Sequence, residues 1–143
     1  MIYVVDILKE KGNDYFSVLP ETITLEALKL MAEKNIGAVL VVAENKLLGI
    51  FSERDYARKI VLHGKSSSNT QIAEFLSIHL STVHANTPIT ECMQIMTDKH
   101  IRHLPVVDND KIIGLVSIGD IVSRIIREQK NTIQQLENYI TGG

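Results

Sequence analysis

The 143-residue sequence contains one cysteine, three prolines and no tryptophan. The single thiol, Cys92, allows neither an intrachain disulfide nor a cysteine-rich metal cluster, and this sparse use of cysteine is typical of a reducing compartment. No apolar run approaches the roughly 20 residues of a membrane-spanning helix, and the first residues lack the pattern of a signal peptide. We therefore expect a cytoplasmic protein with no membrane partner.

An excess of one charge is also missing, since 15 basic and 17 acidic residues give a formal net charge of −2. The chain has no basic block and no interleaving of aromatic and basic residues, the two marks of a nucleic-acid-binding surface. We therefore expect no nucleic acid among its partners. The length suffices for one domain, or for two small units that share a core.

One unit of sequence occurs twice. Residues 18–59 align with residues 83–124 at a constant offset of 65 and without a gap. In each copy, β-branched runs and helical spacing of apolar residues predict the order β-α-β-β-α. Three strands and two helices leave one sheet face poorly covered, so the copies should pack together about a pseudo-twofold axis. The predicted fold class is α/β (α+β), with a ligand cleft between the repeats.

The predicted elements follow this repeat. Those of the first half are a leading helix over 1–10, strands over 15–19, 36–43 and 47–51, and helices over 25–35 and 55–62. Those of the second half are a short helix over 72–76, strands over 80–84, 101–107 and 111–116, and helices over 89–99 and from 120 onward. Thr22 or Thr24 is expected to cap the helix over 25–35. The predicted domains are 1–65, the first repeat with its leading helix; 66–127, the second repeat; and 128–143, a C-terminal helical extension.

The last helix outlasts its counterpart in the first repeat. Its residues at spacings of four and three form an a/d seam with one polar position: Val122, Ile126, Gln129, Ile133, Leu136 and Ile140, flanked by Ile125 and Tyr139. This seam either folds back on its own repeat or binds a second copy of the chain. The sequence leaves both alternatives open.

Both copies contain the motif Gly-x-x-Ser-x-x-Asp, at residues 49–55 and 114–120. Ser-x-x-Asp before an apolar helix resembles a capping box, in which Ser is the N-cap and the acid is the third helical residue. The same side chains at a helix N-terminus could instead bind a phosphorylated ligand. A cap does not require the glycine three residues before the Ser, and we expect this glycine to let a ligand approach the strand.

The duplicated unit and its motif resemble a tandem pair of CBS domains (cystathionine β-synthase-type domains, together a Bateman module). The family's nucleotide motif is Gly-h-x-Ser/Thr-x-x-Asp, where h is apolar, and it stands intact at both sites. The segments 53–59, 101–108 and 116–120 look more narrowly like the stand-alone two-CBS proteins of bacteria and plant organelles. The resemblance implies two β-α-β-β-α repeats that bind adenosine-containing ligands between them.

Carried over to this chain, the resemblance implies a role for each motif residue. Asp55 and Asp120 would bind ribose hydroxyls, while Ser52 with Arg54 and Ser117 with Gly119 would face ribose or phosphate. The remaining implied contacts are Thr22 and Thr87 to adenine, Arg102 and His103 to phosphate, their counterparts Gly37 and Ala38 in the first repeat, and apolar packing of adenine near Ile36 and Leu47. These roles agree with the chemistry of carboxylates, guanidinium groups and helix N-termini.

The implied function is regulatory. An adenosine nucleotide (AMP, ADP or ATP), NAD(H) or S-adenosylmethionine would bind in the inter-repeat cleft, with AMP the favoured ligand, and occupancy would be transmitted to an unknown regulated protein. We expect a homodimer that requires no cofactor and is not an enzyme. His100 and His103, with Asp98 and Asp108 nearby, lack a third convergent ligand, so no metal site is predicted. The alternative is a structural or dimerisation adaptor in which the motifs only cap helices.

The two sites should be unequal. Arg102 and His103 of the second repeat correspond to Gly37 and Ala38 of the first, so basic residues are present in only one copy at this position. Arg54 corresponds to Gly119, which we expect to reverse that difference in part. We therefore predict one site suited to phosphate-rich ligands and one that is weaker or empty.

Overall fold

The computed structural model describes residues 1–76 and 80–142. The first half contains α1 (Val4–Lys11), β1 (Ser17–Val18), α2 (Thr24–Lys34), β2 (Ala38–Ala43), β3 (Lys46–Ser52) and α3 (Glu53–Asp55), which continues as a π-helix over Tyr56–Val61. The second half contains a 3-10 helix (Ile72–Phe75), α4 (Ile89–Lys99), β4 (His103–Asp108), β5 (Lys111–Ser117) and α5 (Ile118–Ile140). The mixed α/β class with a long C-terminal helix is confirmed.

The two repeats form equivalent hairpins. β1 is parallel to β2 and β2 is antiparallel to β3, while β4 is antiparallel to β5. Each hairpin has a register shift at the same place, between Val41 and Val42 and between Val106 and Val107. The strand predicted over 80–84 is reduced, within the described residues, to a parallel bridge between Val83 and Val106.

α1 packs on the second repeat, although it precedes the first in the chain. The Val4 amide donates to the Thr87 carbonyl at 2.9 Å, and Val4, Ile7 and Leu8 are buried in one hydrophobic core with residues of β4, β5, α4 and α5. The helical spacing predicted this element as the leading helix of the first repeat, and its position in space differs. An amphipathic pattern shows that a face is covered, but not which sheet covers it.

The segment before the second repeat packs, in turn, on the first. The Ile72 amide donates to the Thr22 carbonyl at 3.0 Å, and Ile72 is fully buried in a second core with α2, β2 and β3. The Thr24 amide and hydroxyl both donate to the Thr70 carbonyl, at 2.8 Å each. The predicted side-chain caps are therefore wrong. Ile23 is the N-cap residue of α2 and makes no side-chain hydrogen bond, and carbonyl groups of the segment before the second repeat accept hydrogen bonds from the first turn instead.

The motif glycines make room for leucines from these two leading segments. A Cβ atom on Gly49 would lie 2.8 Å from Leu76 Cδ2, and one on Gly114 would lie 2.8 Å from Leu8 Cδ2. Each glycine thus has a packing role, and the expectation that the glycines let a ligand approach stays a prediction. The repeat comparison did not show this packing role, because Leu8 and Leu76 both lie outside the aligned segments 18–59 and 83–124.

The apolar seam of α5 is exposed in both halves of the helix. Val122 and Ile126 are 43% and 46% exposed, and Tyr139 and Ile140 are more than 80% exposed. Ile133 and Leu136 of the predicted seam are likewise exposed. Of the two alternatives for this helix, folding back onto its own repeat is therefore wrong.

Gly114→Ala should lower the free energy of unfolding more than Gly49→Ala. Leu8 is buried and meets the new methyl with both of its Cδ atoms, whereas Leu76 is only partly buried and can move aside. Overpacking of this kind costs about 1–3 kcal/mol. Urea unfolding measures the difference. In Gly114→Ala, a second change of Leu8→Ala should remove the clash; equal losses in the two single variants would contradict this packing role.

Candidate functional site

The two repeats enclose a cleft of about 690 Å³. The first motif lines one side and the start of β4 lines the other, so both copies contribute. The cleft contains six of the predicted site residues, namely Gly37, Ser52, Arg54, Asp55, Arg102 and His103. Its volume is within the range of roughly 300–1,000 Å³ that is usual for small-molecule sites.

Asp55 is held by the backbone at the first turn of α3. Its Oδ2 atom accepts from the Ser52 amide at 2.9 Å and from the Ser52 hydroxyl at 3.0 Å, while Ser52 Oγ accepts from the Asp55 amide at 3.1 Å. The capping box is therefore present. The other carboxylate oxygen, Oδ1, lies 3.5 Å from Lys59 Nζ, and the side chain is 27% exposed at the cleft. Capping and ligand binding are compatible here, because the two functions use different oxygens.

The cleft is rich in positive charge. Two carboxylates, Glu53 and Asp55, line it together with five cationic side chains, which are Arg54, Arg58, Lys59, Lys99 and Arg102. Repulsion from Arg58, with desolvation and repulsion from Arg102 in addition, lowers the pKa of Arg54, which is evidence of crowded like charges. An anion placed between the three guanidinium groups would relieve this repulsion. The sequence expectation that Arg54 offsets the basic pair of the second repeat is wrong, because Arg54 and Arg102 face the same cleft and their charges add.

His103 lies between the two motifs. Burial lowers its pKa below the ordinary value; Asp120 and Asp55 oppose this shift, while Lys11 and Arg102 reinforce it. The imidazole is therefore mainly neutral at pH 7. It can accept a proton when a further negative charge arrives beside it.

Asp120 forms the same capping box, with its Oδ2 atom 2.9 Å from the Ser117 amide. It opens on a much smaller pocket of about 260 Å³, lined by Ile7, Glu10, Lys11, Asp120, Ser123 and Arg127. Lys11 Nζ donates to Asp120 Oδ2 at 2.7 Å and to the Leu115 carbonyl at 2.8 Å. Burial alone would raise the pKa of Asp120, but the hydrogen bonds from Lys11 and Ser117 outweigh it and the pKa is lowered.

The other predicted site residues lie outside the large cleft. Thr22 and Thr87 hold turns, since each Oγ1 accepts a backbone hydrogen bond at 3.0 Å, from Leu19 and His84 respectively. The residues Ile36, Ala38, Ser117, Gly119 and Asp120 are likewise absent from its lining, as is Leu47. The apolar part of the cleft wall is Ile50, Leu80 and Ile101. Contacts of the outlying residues with a ligand stay predictions.

Sequence reasoning missed four cationic groups near the motifs. Arg58 and Lys59 stand three and four residues after Asp55, a helical spacing that would have placed them on the same face. Lys99 ends α4, and residues 100–102 connect it to β4. Lys11 had no comparable signal, because α1 lies outside the repeat and packs on the other copy.

Comparison with known proteins agrees with the duplicated fold. A family model described as the CBS domain matches residues 4–62 and 72–127. The chain is 37% identical over 147 residues to CBS domain-containing protein CBSX3, mitochondrial, of Arabidopsis thaliana. The alignment covers 96% of this chain and 71% of the relative. None of the helices in the described residues is both long and apolar enough to cross a membrane. The relative is mitochondrial by name, so the predicted cytoplasmic location stays a prediction.

Two solved structures extend the comparison. A protein with CBS domains from Burkholderia ambifaria MC40-6 is 44% identical with a TM-score of 0.86, over 90% of this chain and 96% of that one. The CBS domain pair of protein MJ0100, solved with 5′-methylthioadenosine and S-adenosyl-L-methionine, is 27% identical with a TM-score of 0.77, over 90% and 98%. Two matched repeats, two intact motifs and these relatives lead to one conclusion: the chain belongs to the CBS-domain family, as a tandem CBS pair.

Proposed function

We propose that the chain is a regulatory module that binds an adenine nucleotide in the cleft beside Asp55. The observation that carries this proposal is the placement of Arg54, Arg58 and Arg102 around one cavity, with a capped carboxylate at its edge. The carboxylate suits the vicinal hydroxyls of ribose. The guanidinium groups suit phosphate, which they bind through charge-assisted hydrogen bonds.

The cation cluster favours ligands that carry phosphate. The MJ0100 pair was solved with two adenosine derivatives that contain no phosphate, and it supports adenosine recognition as a property to test in this chain. A sulfonium ligand such as S-adenosylmethionine would bring positive charge toward five cationic side chains. Among the candidates, AMP, ADP and ATP therefore fit this cleft better.

Ligand binding can act as a signal because the cleft is built from both repeats. Arg54 belongs to the first repeat and Arg102 to the second, and their like charges repel until an anion lies between them. A nucleotide that binds both would stabilise the arrangement that brings them together. The output would pass to a regulated protein, and the chain would act by binding rather than by catalysis.

Affinity should rise from adenosine to AMP and again to ADP, since each phosphate adds charge facing the cluster. Arg102→Ala should weaken ADP binding about tenfold or more, the loss expected for a charged hydrogen bond, and should leave adenosine binding nearly unchanged. Isothermal titration calorimetry measures both. A flat series, or no binding by the unaltered chain, would favour the structural adaptor instead.

A matched pair of lysines provides the control. Lys34 and Lys99 occupy the same position in the two repeats, but only Lys99 lines the cleft, whereas Lys34 lies over the Phe16 ring at 5.4 Å. Lys99→Ala should weaken ADP binding and Lys34→Ala should not. Equal effects would mean that overall charge, rather than the cleft, governs affinity.

Binding of ADP should depend on the protonation of His103. Its lowered pKa in the free chain would rise when phosphate binds, so the complex takes up a proton and affinity increases as pH falls from about 8 to about 6. In His103→Asn this contribution should vanish, which leaves only the titration of the nucleotide itself. Identical pH profiles for the two proteins would contradict a phosphate contact for His103.

We further propose that the exposed seam of α5 pairs with a second copy of the chain. Ile133 and Leu136 are 55% and 56% exposed on a helix whose apolar residues repeat at coiled-coil spacing. Leu136→Glu should shift the chain from dimer to monomer in sedimentation velocity, whereas the off-seam change Gln134→Glu should not. A monomeric unaltered chain would remove this proposal.

A further inference from the structure

The two motifs are chemically alike but open on different spaces. Each Asp accepts from its motif Ser amide at 2.9 Å, so the carboxylates begin from the same geometry. Asp55 faces a cleft of about 690 Å³ and Asp120 a pocket of about 260 Å³. The difference therefore arises from whatever packs against the second motif, and that neighbour is the last turn of α1.

Lys11 fills the position in front of Asp120. Its ammonium donates to Asp120 Oδ2 and to the Leu115 carbonyl, a carboxylate and a strand carbonyl of one motif. In the first motif, the only cation paired with the carboxylate is Lys59 from the same helical segment, at the longer distance of 3.5 Å, as far as the described residues show. Lys11 binds the capping oxygen Oδ2 of Asp120, so its ammonium occupies the space in front of this carboxylate, where the first motif has an open cleft.

The position of Lys11 is fixed by the whole of α1. Leu8 packs against Gly114, and Val4 and Ile7 are buried in the core of the second repeat. Glu10, the neighbour of Lys11, forms ion pairs with Arg124 and Arg127 of α5. An isolated surface ion pair contributes little stability, but here the helix that carries the lysine is anchored along its length.

We infer that Lys11 is an internal occupant of the second ligand site, so that each chain binds one nucleotide rather than two. This inference rests on the proposed function of the Asp55 cleft. The second motif itself, moreover, has Gly119 where the first has Arg54. With the Lys11 ammonium removed, the Asp120 carboxylate would be available to the ribose of adenosine, and Arg127 would be the cation left in the pocket lining.

The experiment counts the adenosine molecules bound per chain at saturation by calorimetry. Lys11→Met keeps the apolar stem and removes the ammonium, and should bind one adenosine more than the unaltered chain. Lys9→Met makes the same charge change on the same helix, where no ion pair of Lys9 occurs among the described residues, and should bind the same number as the unaltered chain. Lys11→Ala serves as the second variant if Lys11→Met does not fold.

A further change of Asp120→Asn in the Lys11→Met chain should abolish the additional site. An unchanged count in Lys11→Met, two sites in the unaltered chain, or a gain that survives Asp120→Asn would each overturn the inference. The proposed function is tested separately, by ADP binding to the unaltered chain and its loss in Arg102→Ala. A gain in Lys11→Met without ADP binding by the unaltered chain would therefore reject the proposed function and keep the internal occupant.

Discussion

The hydrogen bond from the backbone amide of each motif Ser to the carboxylate three residues later is the interaction on which both sites depend. It fixes an Asp at the N-terminus of a helix, where the backbone N–H groups and the helix dipole favour negative charge. The bond is local, so each repeat forms it alike. What differs between the sites is what faces the carboxylate, and that is decided by residues distant in sequence.

Duplication therefore gives two motifs with the same local geometry, but the ligand sites beside them are unequal. Beside Asp55, the cations of the first motif and Arg102, which directly precedes β4, meet across one cleft, and their mutual repulsion favours an anion between them. Beside Asp120, the end of α1 supplies an ammonium, and the pocket is small. The exchange of leading segments between repeats produces the second outcome, because α1 completes the core of the second repeat and also lines the pocket in front of its motif.

The sequence predicts what depends on local pattern. The bounds of α4 over 89–99, the hairpins and the two capping boxes follow from spacing and residue type. It does not predict which repeat α1 covers, since an amphipathic pattern shows that one face is buried but does not identify the surface that buries it. For that reason the packing role of Gly114, the position of Lys11 and the shared cleft of Arg54 with Arg102 emerge only from the three-dimensional arrangement.

The most direct measurement is a crystal structure of the unaltered chain grown with ADP. One nucleotide per chain is expected, with its ribose on Asp55, its phosphates between Arg54 and Arg102, and Lys11 still bonded to Asp120. A nucleotide on Asp120 with Lys11 displaced, or phosphates bound away from the arginines, would contradict the division of the pair into one nucleotide site and one internally occupied site.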